Sequence, residues 1–243
     1  MKVVETQPKN VIFCDGGRKQ KEADLLMEHE LEVRVRKDER EIKNYLLTCT
    51  NKHLLELAVG RLISDGHIYC KEDIVGLHFK QDVENQDLED SFVPRDLIEV
   101  LVRYREKDEV RSESIPDLTW KEEWIFNLAQ EFSNGMPIHD LTWGTHTCML
   151  AKDGNILFSC EDIGRHNAID KAIGYAVEND INLSECMLYS SGRVPTDIVK
   201  KLINARIPLL VSKSVPTAEA IKLAKKHNIT LICRAYEDCF DVY

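Results

Sequence analysis

The stretch Cys186–Cys233, CMLYSSGRVPTDIVKKLINARIPLLVSKSVPTAEAIKLAKKHNITLIC, decides the fold. Short apolar runs (CMLYS, IPLLVS, ITLIC) alternate with segments of helical spacing (TDIVKKLINA, TAEAIKLAKKH), the rhythm of βαβ units on a parallel sheet. Upstream, HTCMLAKDGNILFSC predicts a hairpin that turns at Asp153-Gly154, a dipeptide suited to tight turns. A helix is expected next, from Arg165 to about Val177, and another across LTWKEEWIFNLAQEF before the hairpin. The second half of the chain is therefore expected to be α/β.

Toward the N-terminus the pattern changes. LEVRVR and IKNYLLTC alternate as strands do, HLLELAVGRLI has helical spacing, and LIEVLVRY reads as a further strand. The acidic stretch Gln81 to Asp90 should loop, and the polar run REKDEVRSES is the expected linker. These features divide the chain into a smaller α+β domain, 1–112, and an α/β domain, 113–243.

With 243 residues, 43% of them hydrophobic, the chain can bury a sizeable core. Lysine and arginine total 32 against 42 aspartates and glutamates, and the net charge of -10 argues against a broad grip on nucleic acid. An anionic ligand must be held locally. No apolar run reaches the length of about 18 residues that marks a membrane span, and MKVVETQPKN lacks a secretory apolar segment, so a cytoplasmic protein without membrane partners is expected. The eight cysteines form no C-x-x-C pair, which points to mostly buried, reduced thiols and to no metal site.

Two strand-to-helix turns resemble each other: Ser191, Gly192 and Arg193 before Val-Pro-Thr, and Ser212, Lys213 and Ser214 before the same tripeptide. Each offers a hydroxyl, a cation taken as equivalent in the two, and a proline near the first helical turn, where a missing N–H costs nothing. Ligands of open α/β sheets bind beyond the carboxyl ends of strands, so two such turns side by side would cradle phosphate. Ordinary βα turns with solvated charges give the same residues; the near-duplication favours an anion. At another such junction, FSCEDIGRHNAIDKAIG gathers Cys160, Glu161, Asp162, Arg165 and His166, and Thr145 and His146 lie just before the hairpin. Their concentration predicts a pocket mouth, with the carboxylates orienting the cation and imidazole.

Together, WGTHTCML, FSCEDIGRHNAIDKAIG, SSGRVPTDIVKK and VSKSVPTAEAIKLAKKHNITLICRA resemble the FdhD family, the formate dehydrogenase accessory sulfurtransferases; HLLELAVGRLISDGHI resembles a helix of its N-terminal domain. The resemblance implies a cytidine-deaminase-like fold for the C-terminal domain, a small α+β N-terminal domain and a homodimer. It implies sulfur received from a cysteine desulfurase and passed to the molybdenum bis(molybdopterin guanine dinucleotide) cofactor, held as a bound substrate before formate dehydrogenase apoenzyme takes it up. A guanine nucleotide would mimic that substrate. The family's terminal cofactor-binding segment falls on Arg234, Ala235, Tyr236, Glu237, Asp238 and Cys239.

In the family a C-G-x-C-G loop carries the persulfide, and the corresponding interval here, REKDEVRSESIPDLTW, has no cysteine. Serine cannot form a persulfide. Either another cysteine carries the sulfur or the chain binds cofactor without relaying it. Cys148 and Cys160 on the hairpin are the candidate substitutes, Cys160 above all, because a nearby helix N-terminus would lower its pKa. Cys239 is the third candidate. A zinc deaminase, suggested by the implied fold alone, needs H-x-E and P-C-x-x-C segments that are absent.

Overall fold

The computed structural model describes residues 2–82, 93–103 and 114–243. Apart from their ends, the stretch expected to loop (81–90) and the expected linker (105–114) lie outside the described residues, as does the boundary expected between 112 and 113.

Side-chain alternation along four strands sets the architecture of the second half: β7 (His146–Lys152), β9 (Met187–Ser190), β10 (Leu209–Ser212) and β11 (Thr230–Cys233). Successive side chains leave a strand on opposite faces. Cys148, Leu150, Leu188, Leu210 and Leu231 therefore enter one core, while Met149, Ala151, Tyr189, Val211 and Ile232 enter another. A sheet apolar on both faces needs cover on both. One core takes in α4 (Arg165–Glu178), α5 (Thr196–Ala205) and α6 (Ala218–Lys226); the other takes in α2 (Glu122–Ser133) through Ile125, Leu128 and Phe132. With β8 (Asn155–Asp162) and the short β12 (Asp241–Val242) the sheet has six strands, ordered β12-β11-β10-β9-β7-β8. Strands β9, β10 and β11 are parallel, as their sequence rhythm predicts, and β7 runs antiparallel to β8 and β9. The hairpin turns at Asp153 (φ 51) and Gly154 (φ 80), the paired positive φ values of a type I′ turn.

Helix α2 starts at Glu122, four residues later than expected at Leu118. Lys121 is extended (φ -119, ψ 144), Leu118 and Trp120 pack against the second core, and Glu122 and Glu123 occupy the first turn, where the helix dipole favours carboxylates.

The first half forms a four-stranded sheet, ordered β4-β3-β6-β5, from β3 (His29–Lys37), β4 (Arg40–Cys49), β5 (Ile74–Lys80) and β6 (Arg95–Val102). Leu31, Val33 and Val35 of β3 share the first core with Leu57, Ala58 and Leu62 of α1 (Leu54–Ser64). An unforeseen hairpin, β1 (Val4–Ile12) with β2 (Arg18–Leu26), precedes this sheet. VETQPKNVI and RKQKEADLL are mostly polar and exposed, so no apolar alternation announces them. Among the described residues no helix is long and apolar enough to cross a membrane.

Helix α1 joins the halves by lying directly on α4. A Cβ placed on Gly60 would sit 1.7 Å from the Asp170 carbonyl oxygen, and one on Gly174 would sit 1.8 Å from that of Glu56. The two backbones touch. Around the crossing, Asp170 is fully buried and takes Arg61 Nε at 2.9 Å, Lys201 Nζ at 2.7 Å and Ser64 Oγ at 2.5 Å. Because overpacking a tight contact costs about 1–3 kcal/mol, Gly60→Ala should destabilise by about 3 kcal/mol and lower Tm by about 6–12 °C. Gly76→Ala, whose Cβ would meet nothing nearer than 3.8 Å, should leave Tm unchanged or slightly raised. Thermal denaturation of the two variants checks the contrast.

Candidate functional site

Since β7 enters the sheet where β9, β10 and β11 leave it, one edge gathers the start of β7, the end of β8 and three strand-to-helix turns. Backbone hydrogen bonds carry the sheet past its strands: Ser191 N to Thr147 O at 3.0 Å, Lys213 N to Ser190 O at 3.1 Å and Ala235 N to Ser212 O at 3.0 Å. The two similar turns also bond each other, through Val194 N to Val215 O and Thr217 N to Val194 O, both 3.1 Å. Thr145, His146, Ser191–Arg193, Ser212–Ser214 and Arg234–Cys239 thus share an edge. At about 4.8 Å per strand, it spans roughly 19 Å from β8 to β11.

The turns differ from their sequence reading in detail. Ser190 pairs with Ser212, and Val194 bridges Pro216, so Lys213 stands opposite Ser191 and Arg193 opposite Val215. The two cations are not equivalent; both are exposed. Ser190 Oγ and Ser212 Oγ accept the backbone N–H two residues on, from Gly192 at 3.2 Å and Ser214 at 3.0 Å. Ser212, fully buried, also donates to Gly192 O at 2.8 Å, so its hydroxyl serves the turn and offers nothing to a ligand. The prolines stand just outside the helices: Pro195 is the N-cap of α5, and Pro216 precedes Thr217, which caps α6 through Ala220 N.

The carboxylates expected to orient Arg165 and His166 do other work. Glu161 accepts from Ile138 N (2.9 Å), His139 N (2.6 Å) and Thr145 Oγ1 (3.0 Å), fixing the start of α3 (Pro137–Thr142). Asp162 is fully buried and pairs with Lys171 at 2.5 Å, while accepting from Thr50 N, Gly164 N and Asn167 Nδ2. Both are engaged, and the burial of Asp162 is tolerated because its lone pairs are met. His166 turns instead into a groove between α1, α4 and α5, where Nε2 lies 3.3 Å from Asp197 Oδ2. Burial, with Lys201 and Arg165 nearby, pushes its pKa down. Arg165 runs along the edge, its Cδ only 2.9 Å from where a Gly192 Cβ would stand, so that glycine makes room for the side chain.

The hairpin thiols lose their electrostatic case. Cys148 and Cys160 face each other across β7 and β8, both buried, and Cys160 Sγ donates to Ala168 O at 3.3 Å. Burial pushes the Cys160 thiol up to about 12 and raises Cys148 as well, the reverse of the expected lowering. Cys239 is exposed, and the hydrogen bond with Asp238 raises its pKa.

Beside β10 and β11 lies a cavity of about 490 Å³ that includes Phe132, Tyr189, Lys213, Tyr236, Glu237 and Asp238 among its walls. Lys213 Nζ stands 4.6 Å above the Phe132 ring, and Tyr189 and Phe132 lie 5.6 Å apart. Three buried polar atoms at this edge have no hydrogen-bond partner among the described residues: Thr147 Oγ1, Arg165 Nε and Tyr189 Oη. Tyr189 and Thr147 lie in strand interiors that read as plain core, so only the sheet register reveals them. The residues suit a ligand with an aromatic ring and anionic groups. No three His, Cys, Asp or Glu side chains among the described residues converge as metal ligands.

The family model described as FdhD/NarQ matches residues 27–243. The protein FdhD of Methanocaldococcus jannaschii is 52% identical over 90 residues, which cover 37% of this chain and 40% of that protein. The sulfur carrier protein FdhD of Staphylococcus haemolyticus is 30% identical over 209 residues, covering 80% of this chain and 79% of its own. A crystal structure described as a candidate formate dehydrogenase accessory protein, from Desulfotalea psychrophila, superposes with a TM-score of 0.79 at 23% identity, over 100% of this chain and 97% of that one, and so has the same fold.

Thiol labelling of the native protein should single out the exposed Cys14 and Cys239, with Cys148 and Cys160 reacting only after unfolding. Labelling of Cys239 should keep accelerating above pH 9.0, since a raised pKa delays thiolate formation. Mass-mapped alkylation reads both; rapid native labelling of Cys160 would contradict its burial.

Proposed function

This chain belongs to the FdhD/NarQ family, and from that premise we propose that it is an accessory protein of formate dehydrogenase that holds the molybdenum bis(molybdopterin guanine dinucleotide) cofactor as substrate at the strand edge. In this reading sulfur comes from a cysteine desulfurase and the loaded cofactor goes to the formate dehydrogenase apoenzyme. The chain works as a homodimer, and its six-stranded sheet with helices on both faces is read as cytidine-deaminase-like. The names of the relatives support the accessory and sulfur-carrier roles.

One observation carries the cofactor reading: among the described residues the buried Tyr189 hydroxyl has no hydrogen-bond partner and its side chain lines a cavity with Lys213, while Thr147 Oγ1 and Arg165 Nε are left unpartnered elsewhere along the same sheet edge. Away from the edge, His29 Nε2 and Arg61 Nε lie 3.2 and 2.9 Å from the Asp96 and Asp170 carboxylates, and His29 Nδ1 also has no hydrogen-bond partner among the described residues. A buried polar group without a partner costs about 1–3 kcal/mol, which a bound ligand with matching groups removes. Arg165, Arg193 and Lys213 would hold phosphates, and the aromatic cavity the base.

For sulfur, Cys239 replaces the hairpin thiols as the proposed carrier. It is exposed and follows directly on Asp238 of the cavity wall, so a desulfurase can reach it. Its thiolate would attack the donor's persulfide and take the terminal sulfur, leaving the donor thiolate. A second reading, a cofactor-holding chaperone without sulfur relay, draws on a different observation: every thiol whose pKa is displaced is displaced upward, away from nucleophilic readiness.

Incubation with a cysteine desulfurase and cysteine, read by intact mass, separates the two. A sulfur adduct lost in Cys239→Ser and kept in Cys160→Ser is expected for the carrier. Guanosine diphosphate binding without any adduct selects the chaperone. Lys213→Glu should weaken guanosine diphosphate at least about tenfold, since a charge-assisted contact contributes about 1.5–3 kcal/mol. Equal affinity in this variant would remove Lys213 from the site.

A further inference from the structure

Strands β1 and β2 form a hairpin arm that has little of the protein beneath either face. Nine residues in each strand give it a reach of about 30 Å. Its foot is held: Met27 N donates to Val3 O at 2.9 Å, Asn51 Nδ2 donates to Lys2 O at 3.2 Å, and Leu26 lies against Gly144. Beyond the foot, residues 5–10 and 18–22 are exposed on both faces. A two-stranded ribbon with neither a third strand nor a packed face is marginally stable in water.

The register makes the arm costlier still. Lys9 stands directly opposite Lys21, and Lys19, opposite Val11, shares their face. Like charges directly opposed destabilise a strand pair. Glu22 and Asp24 point to the other face, opposite Pro8 and Thr6, so they do not relieve the lysines. From Lys9 to Lys21 the arm holds Lys9, Arg18, Lys19 and Lys21 against Asp15 alone, while the whole chain has a net charge of -10. The surplus of carboxylates therefore belongs to the body and not to the arm. At the foot, Leu25 on the lysine face is exposed, as are Leu141 and Trp143 of the neighbouring α3 end; Trp143, held in left-handed backbone (φ 56), is 81% exposed. Tryptophan is among the residues that most often anchor protein interfaces.

Resting on the homodimer of the reading above, we propose that the arm is its clasp: the face of Lys9, Lys19 and Lys21 lies on the acidic body of a second copy of this chain, with Leu25 and Trp143 as the apolar centre of the contact. Two arms, one from each copy, make the contact mutual. Lysines that repel one another in a single copy are neutralised by the other copy's carboxylates, and the ribbon gains the packed face it lacks.

Sedimentation of the full chain over a concentration series tests this. The expected result is a wild-type dimer that loosens as salt is added, with Lys9→Glu/Lys21→Glu raising its dissociation constant at least about tenfold at low salt. Trp143→Ala should weaken the dimer by a similar factor at low and high salt alike. A dimer indifferent to the lysine reversal and to salt overturns the clasp and leaves the homodimer standing; a wild type that is monomeric at every concentration overturns both. A reversed variant that dimerises as the wild type does but no longer captures formate dehydrogenase apoenzyme also overturns it, by assigning the arm to the client. Should the reversed variant fail to fold, carbodiimide coupling in a mixture of light and heavy-isotope wild type tests the same contact. Light–heavy bonds from these lysines to carboxylates are expected, and bonds confined to single copies overturn the inference.

Discussion

Contact between two helix backbones is the constraint on which the arrangement depends. Gly60 and Gly174 let α1 and α4 approach until the backbone of one helix fills the space a side chain would take on the other. The approach brings Asp170 under Arg61, Ser64 and Lys201, and Thr50 against Asp162 and Lys171. Buried charges are tolerated only when paired and hydrogen-bonded, so each network is satisfied in one relative placement of the helices and not in a neighbouring one. Removing one partner would strand a charge, at a cost of about 3–5 kcal/mol.

That crossing also settles what the strand edge can do. Asp162 ends β8 at the edge, yet it is spent on Lys171, Thr50 and Asn167, and Glu161 beside it is spent on α3 and Thr145. The acidic groups of the junction hold the scaffold. Left facing the edge are Arg165 over Gly192, Lys213 over Phe132 and the phenol of Tyr189, together with the Glu237 and Asp238 carboxylates in the cavity wall. In a chain of net charge -10, these cations are local exceptions, and they are the groups that the proposed anionic ligand would meet.

Legibility in the sequence followed the physics of each signal. The parallel strands and their helices were plain because apolar runs and helical spacing report burial directly, and Asp153-Gly154 reported the hairpin through its backbone preference. The β1–β2 hairpin was silent because its strands bury little. At the edge, the segments that the sequence singles out do come together, but with other side-chain partners than their spacing suggests. Nothing in FSCEDIGRHNAIDKAIG says that Asp162 turns inward to Lys171 or that His166 faces Asp197, since both are long-range choices of packing. Along the chain Cys160 lies close to a helix N-terminus, which alone would lower its pKa, and burial outweighs that dipole. Tyr189, inside an apolar strand, looked like core, and only its unpartnered hydroxyl distinguishes it.

The central claim is that the edge between β9 and the Arg234–Cys239 segment holds a guanine nucleotide. A crystal structure of the full chain with guanosine diphosphate tests it most directly. The account predicts the base in the 490 Å³ cavity within hydrogen-bond reach of Tyr189 Oη, and the phosphates toward Lys213 and the turn at Ser191–Arg193. Nucleotide density in the His166–Asp197 groove, with the cavity beside Tyr189 filled only by water, would contradict it.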